Sequence, residues 1–317
     1  MTVAEQLNTS KSTAFSFELL PPLKGNNIDK VFKTIDALIE FNPLFINITS
    51  HRDEVTYRNT ENGLFERRVL RKRPGTVAVA ASIQHRYDVK VIPHIICSGF
   101  TRSETEYALI DLNFLGIHDI LVLRGDNSHK DRFFTATDGG NQYAVDLAYQ
   151  VNDLNNGKFL DGTQIEPFET PFTFGVAGYP EKHEESPNME SDIFWVKKKV
   201  ETGAQYIVTQ MFFDNEKYYD FVKRCRAEGI TVPIIPGIKP ITLMNQLTVL
   251  PKIFHVDIPE AFAAELRKCK TEEAVKQVGI DWCTQQAKDL IKNNVPTLHF
   301  YSMMATQSVR EVAKNVY

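Results

Sequence analysis

The chain is poor in cysteine, and the four it has stand in no working arrangement. Cys97, Cys225, Cys269 and Cys283 are scattered over 317 residues. With no C-x-x-C pair and no spacing that would staple a small scaffold, they read as reduced thiols in a cytoplasmic protein. An excess of one charge is missing too. The 36 Lys and Arg against 40 Asp and Glu give a net charge of -4 without a basic block, which leaves nucleic acid out of the expected partners. No apolar run approaches the roughly 18 residues of a membrane span, and the polar start from Met1 to Lys11 lacks the basic-then-apolar order of a signal peptide. A soluble protein with no membrane partner is expected.

Several chemical signatures are absent as well. No Gly-x-Gly-x-x-Gly turn follows the first strand, which argues against a Rossmann sheet; Asp138-Gly139-Gly140-Asn141 lies in a loop before a helix and is a weak signal. The eight histidines form neither H-x-H nor H-E-x-x-H, so no metal site is expected. No G-x-S-x-G turn presents a nucleophilic serine.

What the chain does have is a repeated strand and helix. The run Phe15-Ser16-Phe17-Glu18-Leu19-Leu20 alternates faces, placing Glu18 at the exit of a strand that Pro21-Pro22 then stops. Ile28 to Ile39 has helical spacing, Leu44 to Thr49 is a strand, and Ser50 to Asn62 reads as a polar loop. Strands are predicted at 91–97, 119–123, 172–177, 206–210, 232–238 and 297–302. Helices are predicted at 101–115, 143–155, 191–202, 215–228 and 307–316, with three short helical patches between Leu243 and Lys292. Eight nearly continuous apolar strands separated by helices make a (β/α)8 TIM barrel of the α/β class the economical fold, with an open doubly wound sheet as the alternative. No linker interrupts the pattern, so residues 1–317 are expected to form one barrel domain, with 1–12 an N-terminal extension.

Active sites of such barrels sit at the C-terminal ends of the strands, and six of the eight deliver a polar group there. The groups are Glu18, Thr49-Ser50-His51, His94, Arg124-Gly125-Asp126, Tyr179 to His183, and Gln210. Each has a bland counterpart. A glutamate at a strand end is commonly solvated, His94 reads equally as a core histidine, Asp126 could pair with Arg124, and His183 sits in a charged loop. Met303-Met304 reads as packing, and Trp195 to Lys199 as the wet face of a helix whose lysines could also meet an anionic cofactor.

Taken together, Ser16 to Pro22, Leu123-Arg124-Gly125-Asp126, Tyr179-Pro180-Glu181-Lys182-His183, Thr209 to Asp214, Ile235-Pro236-Gly237-Ile238 and Leu298-His299-Phe300-Tyr301 resemble the methylenetetrahydrofolate reductase family, in the family's order and across most of the chain. The resemblance implies a (β/α)8 catalytic domain of bacterial type holding FAD. Such a domain takes hydride from NADH or NADPH and passes it to 5,10-methylenetetrahydrofolate, giving 5-methyltetrahydrofolate by ping-pong kinetics. It implies Glu18 as general acid and Asp126 as the carboxylate near flavin and pterin, with Gln210, Leu250 and Tyr301 on the folate. For FAD it implies Thr49, His94, Arg124, Gly125, Asp126, Tyr143, Ala144, Tyr179, His183, Asp192 and Lys199. A carboxyl among phenylalanines and a bound flavin would be desolvated, which favours its protonated form. A homo-oligomer in one-carbon metabolism is expected. The chain departs from the pattern at Ser50-His51-Arg52, at Leu250 where some members carry a stacking phenylalanine, and at Ser302-Met303-Met304-Ala305 where the family's Thr-Leu-Asn-Arg supplies an arginine for the folate tail. The weighed alternatives are another flavin barrel of proline-dehydrogenase-like chemistry and a non-catalytic flavin-binding protein.

Overall fold

Among the described residues ten strands follow one another: β1 (Ala14–Leu19), β2 (Phe45–Ile48), β3 (Glu54–Asn59), β4 (Phe65–Leu70), β5 (Val91–Ile96), β6 (Asp119–Leu123), β7 (Thr173–Gly178), β8 (Tyr206–Met211), β9 (Ile234–Ile238) and β10 (Thr297–Tyr301). They belong to a computed structural model that describes residues 1–10, 12–60, 62–126, 134–303 and 305–317. Met304 and Lys11 therefore lie outside the described residues. Eight of the strands close in the order β1-β10-β9-β8-β7-β6-β5-β2, and β3 with β4 forms a separate antiparallel pair. The expected (β/α)8 barrel is the observed fold.

The eight barrel strands are buried because apolar residues fill both of their faces, as a parallel barrel requires. In β1, Phe15, Ser16, Phe17 and Glu18 are all buried, so the alternation of the sequence separates two enclosed faces rather than core from solvent.

Two compact units divide the chain: one comprises Met1–Leu19, Lys33–Asn47 and Thr173–Tyr317, the other Leu20–Phe32 and Ile48–Phe172. In the first, Phe15 packs on Phe300 at 5.3 Å between ring centroids and on Phe17 at 5.7 Å, and Phe45 stacks on His299 at 5.7 Å. Its helix Glu272–Lys292 covers an apolar cluster of Met211, Phe213, Ile241, Leu250, Phe262 and Val275, with Phe262 stacked on Trp282 at 4.5 Å. The N-terminal segment joins this unit through helix Val3–Thr9, which buries Val3, Ala4 and Leu7. In the second unit, Val79, Ala80 and Ile83 of helix Thr76–Arg86 are buried, as are Leu109 and Leu112 of helix Arg102–Phe114 and Ile120 and Val122 of β6. Thr101 and Glu104 close a capping box on helix Arg102–Phe114.

Two expectations change. The polar stretch read as a loop from Ser50 to Asn62 contains β3, which pairs with β4 from Glu54 opposite Leu70 to Asn59 opposite Phe65. Its amphipathic signal is faint because β4 is mostly exposed; the Asn62-Gly63 dipeptide is the available hairpin cue. The last of the three short helical patches is in fact a 21-residue helix, Glu272–Lys292, capped by Thr271.

Candidate active site

In the first unit, three neighbouring strands bring their exits abreast. The β1–β10 register places Glu18 opposite Tyr301, and the β10–β9 register places Phe300 opposite Ile238, so Lys239 leaves β9 beside Tyr301. Glu18 is 8 % exposed, and its carbonyl accepts a 2.5 Å hydrogen bond from Ser302 Oγ. The solvated reading of this carboxylate therefore does not hold. Below it, Ser16 Oγ and His299 Nδ1 lie 2.9 Å apart. Tyr301 donates its hydroxyl to the Thr209 carbonyl at 2.6 Å and is T-shaped against His299. Its ring crosses Gly237, where an added Cβ would stand 2.4 Å from both Tyr301 Cε2 and the Thr209 carbonyl oxygen. Glycine is thus required by close approach rather than by a turn. The Tyr301 phenol is raised well above its ordinary range by burial, then by Glu18 and Tyr179.

Gln210, half-buried in β8, accepts from the Met211 amide at 2.9 Å through Oε1, which directs the amide's donor nitrogen elsewhere. Leu250 is 4 % exposed inside the apolar cluster of helix Gln246–Phe254 and is held by packing.

The loop after β7 supplies a second group. Tyr179 meets His183 edge-on at 4.8 Å, and His183 Nδ1 accepts from the Glu185 amide at 3.1 Å. Helix Met189–Glu201, capped by Asn188, begins two residues earlier than the sequence suggested. Its Asp192 is buried and accepts from Ser186 Oγ at 2.8 Å through Oδ1, while Oδ2 makes no hydrogen bond. Burial pushes the Asp192 carboxyl up, against the Ser186 bond and Lys199. Lys199 donates to the Ala177 carbonyl at 2.6 Å. Glu181 accepts from the Asp257 amide at 2.6 Å, and burial raises it to about 7.

In the second unit the backbone does more of the work. Beyond β5, the Ser98 amide donates to the Arg124 carbonyl at 2.9 Å, and Ser98 Oγ donates to that of Asp126 at 2.7 Å. Between them Gly125 has φ +82°, and a Cβ there would stand 2.9 Å from Ser98 Cβ. The clasp leaves the Asp126 side chain exposed. Arg124 lies over the Phe134 ring at 4.7 Å, a cation–π contact. His94 in β5 is 5 % exposed and held to about 3 by burial and by His51, so it is neutral at physiological pH. His51 is itself lowered by burial and Arg73, with Asp126 opposing. Thr49 Oγ1 is buried without a hydrogen bond. Tyr143 caps helix Ala144–Asn155, its amide donating to Asp146 at 2.9 Å, and its side chain is exposed; Ala144 opens that helix.

Glu18 and Tyr301 therefore meet in one cluster, Tyr179, His183, Asp192 and Lys199 in the loop and helix after β7, and Arg124, Gly125 and Asp126 at one strand exit. The sequence named Glu181 and Ser302 only as members of motifs, without a role, and missed Lys239. A lysine directly after the apolar run Ile234–Ile238 was the available signal for Lys239. All four cysteines are free, and burial pushes the Cys97, Cys225 and Cys283 thiols up to about 12, as inert thiols require. Among the described residues no helix is long and apolar enough to cross a membrane.

A family model described as methylenetetrahydrofolate reductase matches residues 3–317. Methylenetetrahydrofolate reductase (NADH) 1 of Arabidopsis thaliana is 30% identical over 314 residues, which is 96% of this chain and 48% of that relative, so the chain spans about half the plant protein's length. The 5,10-methylenetetrahydrofolate reductase of Pectobacterium carotovorum subsp. carotovorum is 28% identical over 291 residues, 91% of this chain and 85% of the relative. An uncharacterized protein from Clostridium thermocellum, described as binding two copies of 5-methyl-5,6,7,8-tetrahydrofolic acid, shares the fold at TM-score 0.58 and 12% identity over 99% of both chains. The match over nearly every residue places this chain in the methylenetetrahydrofolate reductase family.

Proposed function

We propose that the protein reduces 5,10-methylenetetrahydrofolate to 5-methyltetrahydrofolate with NADH or NADPH through bound FAD. The observation that carries this reading is the buried carboxyl of Glu18 at a strand exit, in a chain matching the family from residue 3 to 317.

The residues suit the cofactor. Thr49 Oγ1 and Asp192 Oδ2 are buried polar atoms without hydrogen bonds, one in each unit, and both match sugar or ribityl hydroxyls. Gly125, whose positive φ sets the turn between Arg124 and Asp126, offers a backbone contact, and Arg124 and Lys199 are the cations for a pyrophosphate. Tyr179, His183, Tyr143, Ala144 and neutral His94 complete the proposed contacts. Bound FAD supplies the two-electron relay from nicotinamide to folate.

On the folate, Glu18 delivers a proton to the nitrogen that leaves as the imidazolidine ring opens to a 5-iminium cation. The enclosed setting of β1 keeps water from competing for that proton. The Asp126 carboxylate offsets the cation's charge. Gln210 offers the donor half of its amide to the pterin edge. Tyr301, its hydroxyl committed to Thr209, presents only ring surface, and Leu250 contributes through the packing behind that surface.

The test is a two-step anaerobic mixing of FAD-loaded protein. NADH should bleach the flavin, methylenetetrahydrofolate should restore it, and 5-methyltetrahydrofolate should appear in equal amount. Bleaching that folate leaves unreversed rejects the reading.

A further inference from the structure

The Glu18 exit contains a cation that the proposed mechanism does not use. Lys239 is 3 % exposed, an unusual fate for a lysine, and it immediately follows β9. Its Nζ donates to the Tyr301 carbonyl at 3.4 Å, and Tyr301 pairs with Glu18 in the β1–β10 register. Glu18, Tyr301 and Lys239 thus stand side by side in register at the exits of three adjacent strands, and Cys283 of helix Glu272–Lys292, which acts on Lys239, is also buried.

We propose that Lys239 is a positioning residue whose ammonium sets the pH at which Glu18 gives up its proton; this rests on the reading of Glu18 as the folate acid. In a buried setting a neighbouring ammonium favours the carboxylate over the carboxylic acid, so Lys239 narrows the range in which Glu18 is an acid. The two groups titrate as a pair. The groups facing Lys239 are Glu18 of β1, Tyr301 of β10 and Cys283 of the covering helix, while Tyr179 after β7 faces Tyr301. The thiol and the phenol are held protonated by burial, so among these groups Glu18 is the one whose ionisation Lys239 meets. Burial lowers Lys239 itself to about 8, against Cys283 and Glu18, so its charge is present at neutral pH and fades above it.

The experiment is the pH profile of the folate half-reaction, followed by flavin absorbance in single turnover, for wild type, Lys239→Met and Lys239→Arg. Removing the ammonium should move the alkaline limb up by about one pH unit, making Lys239→Met up to about tenfold faster than wild type once the pH is above both limbs. Lys239→Arg should keep the wild-type limb. A purely structural lysine would change amplitude alone, and an unmoved limb in Lys239→Met overturns the proposal. A second readout needs no activity: isotope-edited infrared titration of the wild-type protein, with Glu18→Gln as the blank. Ionisation of Glu18 should be spread by the titration of Lys239, and a single unperturbed step overturns the proposal even where the methionine variant does not fold. A wild type that shows no folate half-reaction removes the reading beneath, while the infrared titration still decides whether the couple exists.

Discussion

The strand exits of the two units differ in what holds them. In the first, Glu18, Tyr301 and Lys239 are locked by side-chain burial and cross-strand bonds, with the Tyr301 hydroxyl fixed on Thr209 and Ser302 on Glu18. In the second, Arg124, Gly125 and Asp126 are held by their backbone carbonyls, clasped from Ser98, and the Asp126 side chain stands exposed. A buried carboxyl changes its proton affinity with its surroundings, whereas solvent and salt screen the charge of an exposed one, which acts on what comes into contact with it. The first arrangement suits proton transfer, the second charge and shape recognition.

The largest effect should come from removing the buried acid. Glu18→Gln is expected to lower turnover by about 10²–10⁴-fold, and Asp126→Asn by about tenfold, in a steady-state assay of methyltetrahydrofolate formation. Equal losses would erase the distinction. Next, Gly237→Ala forces a methyl against Tyr301 and the Thr209 carbonyl. It should cost about 1–3 kcal/mol, read as a lower denaturant midpoint, whereas unchanged stability would mean that the Tyr301 ring is free to move. Asp192→Asn swaps one Asp192 oxygen for an amide donor while Ser186 still needs the other. It should weaken FAD about tenfold by fluorescence titration, and unchanged binding would remove Asp192 from the cofactor contacts.

The smallest prediction concerns pH and sets one group of each unit against the other. His94, held to about 3 against an ordinary 6.5, stays neutral where the unfolded chain takes up a proton. Its contribution therefore falls as pH drops below 6.5, by up to about 1.4 kcal/mol per unit. Glu181, raised to about 7 from 4.5, has the opposite sign: the folded protein holds a proton that the unfolded chain has lost, and stability is lost as pH rises from about 4.5 to about 7. Between the two, Glu181→Gln should steepen the loss of stability on acidification. An unchanged slope in denaturation midpoints from pH 4.5 to 6.5 would show that Glu181 ionises normally.

The barrel was legible because its strands are enclosed on both faces: Ile46 and Ile48, Val91 to Ile96, and Ile120 to Val122 form apolar runs that only a covered parallel sheet tolerates. Glu18 was legible as a strand exit, but its burial was foreseen only through the resemblance and not from its own neighbours, because enclosure comes from β10, distant in sequence. Lys239 carried only the faint signal of a lysine directly after an apolar run, since an isolated lysine reads as solvated until three strands are put in register. The hairpin of β3 and β4 escaped because a strand that buries little leaves little periodicity.

The division between a buried proton-transferring exit and an exposed recognising one is tested most directly by stopped-flow flavin absorbance in Glu18→Gln, with each half-reaction followed alone. Flavin bleaching by NADH should proceed at the wild-type rate while reoxidation by methylenetetrahydrofolate falls by about 10²-fold or more. Equal losses in both half-reactions would contradict the account.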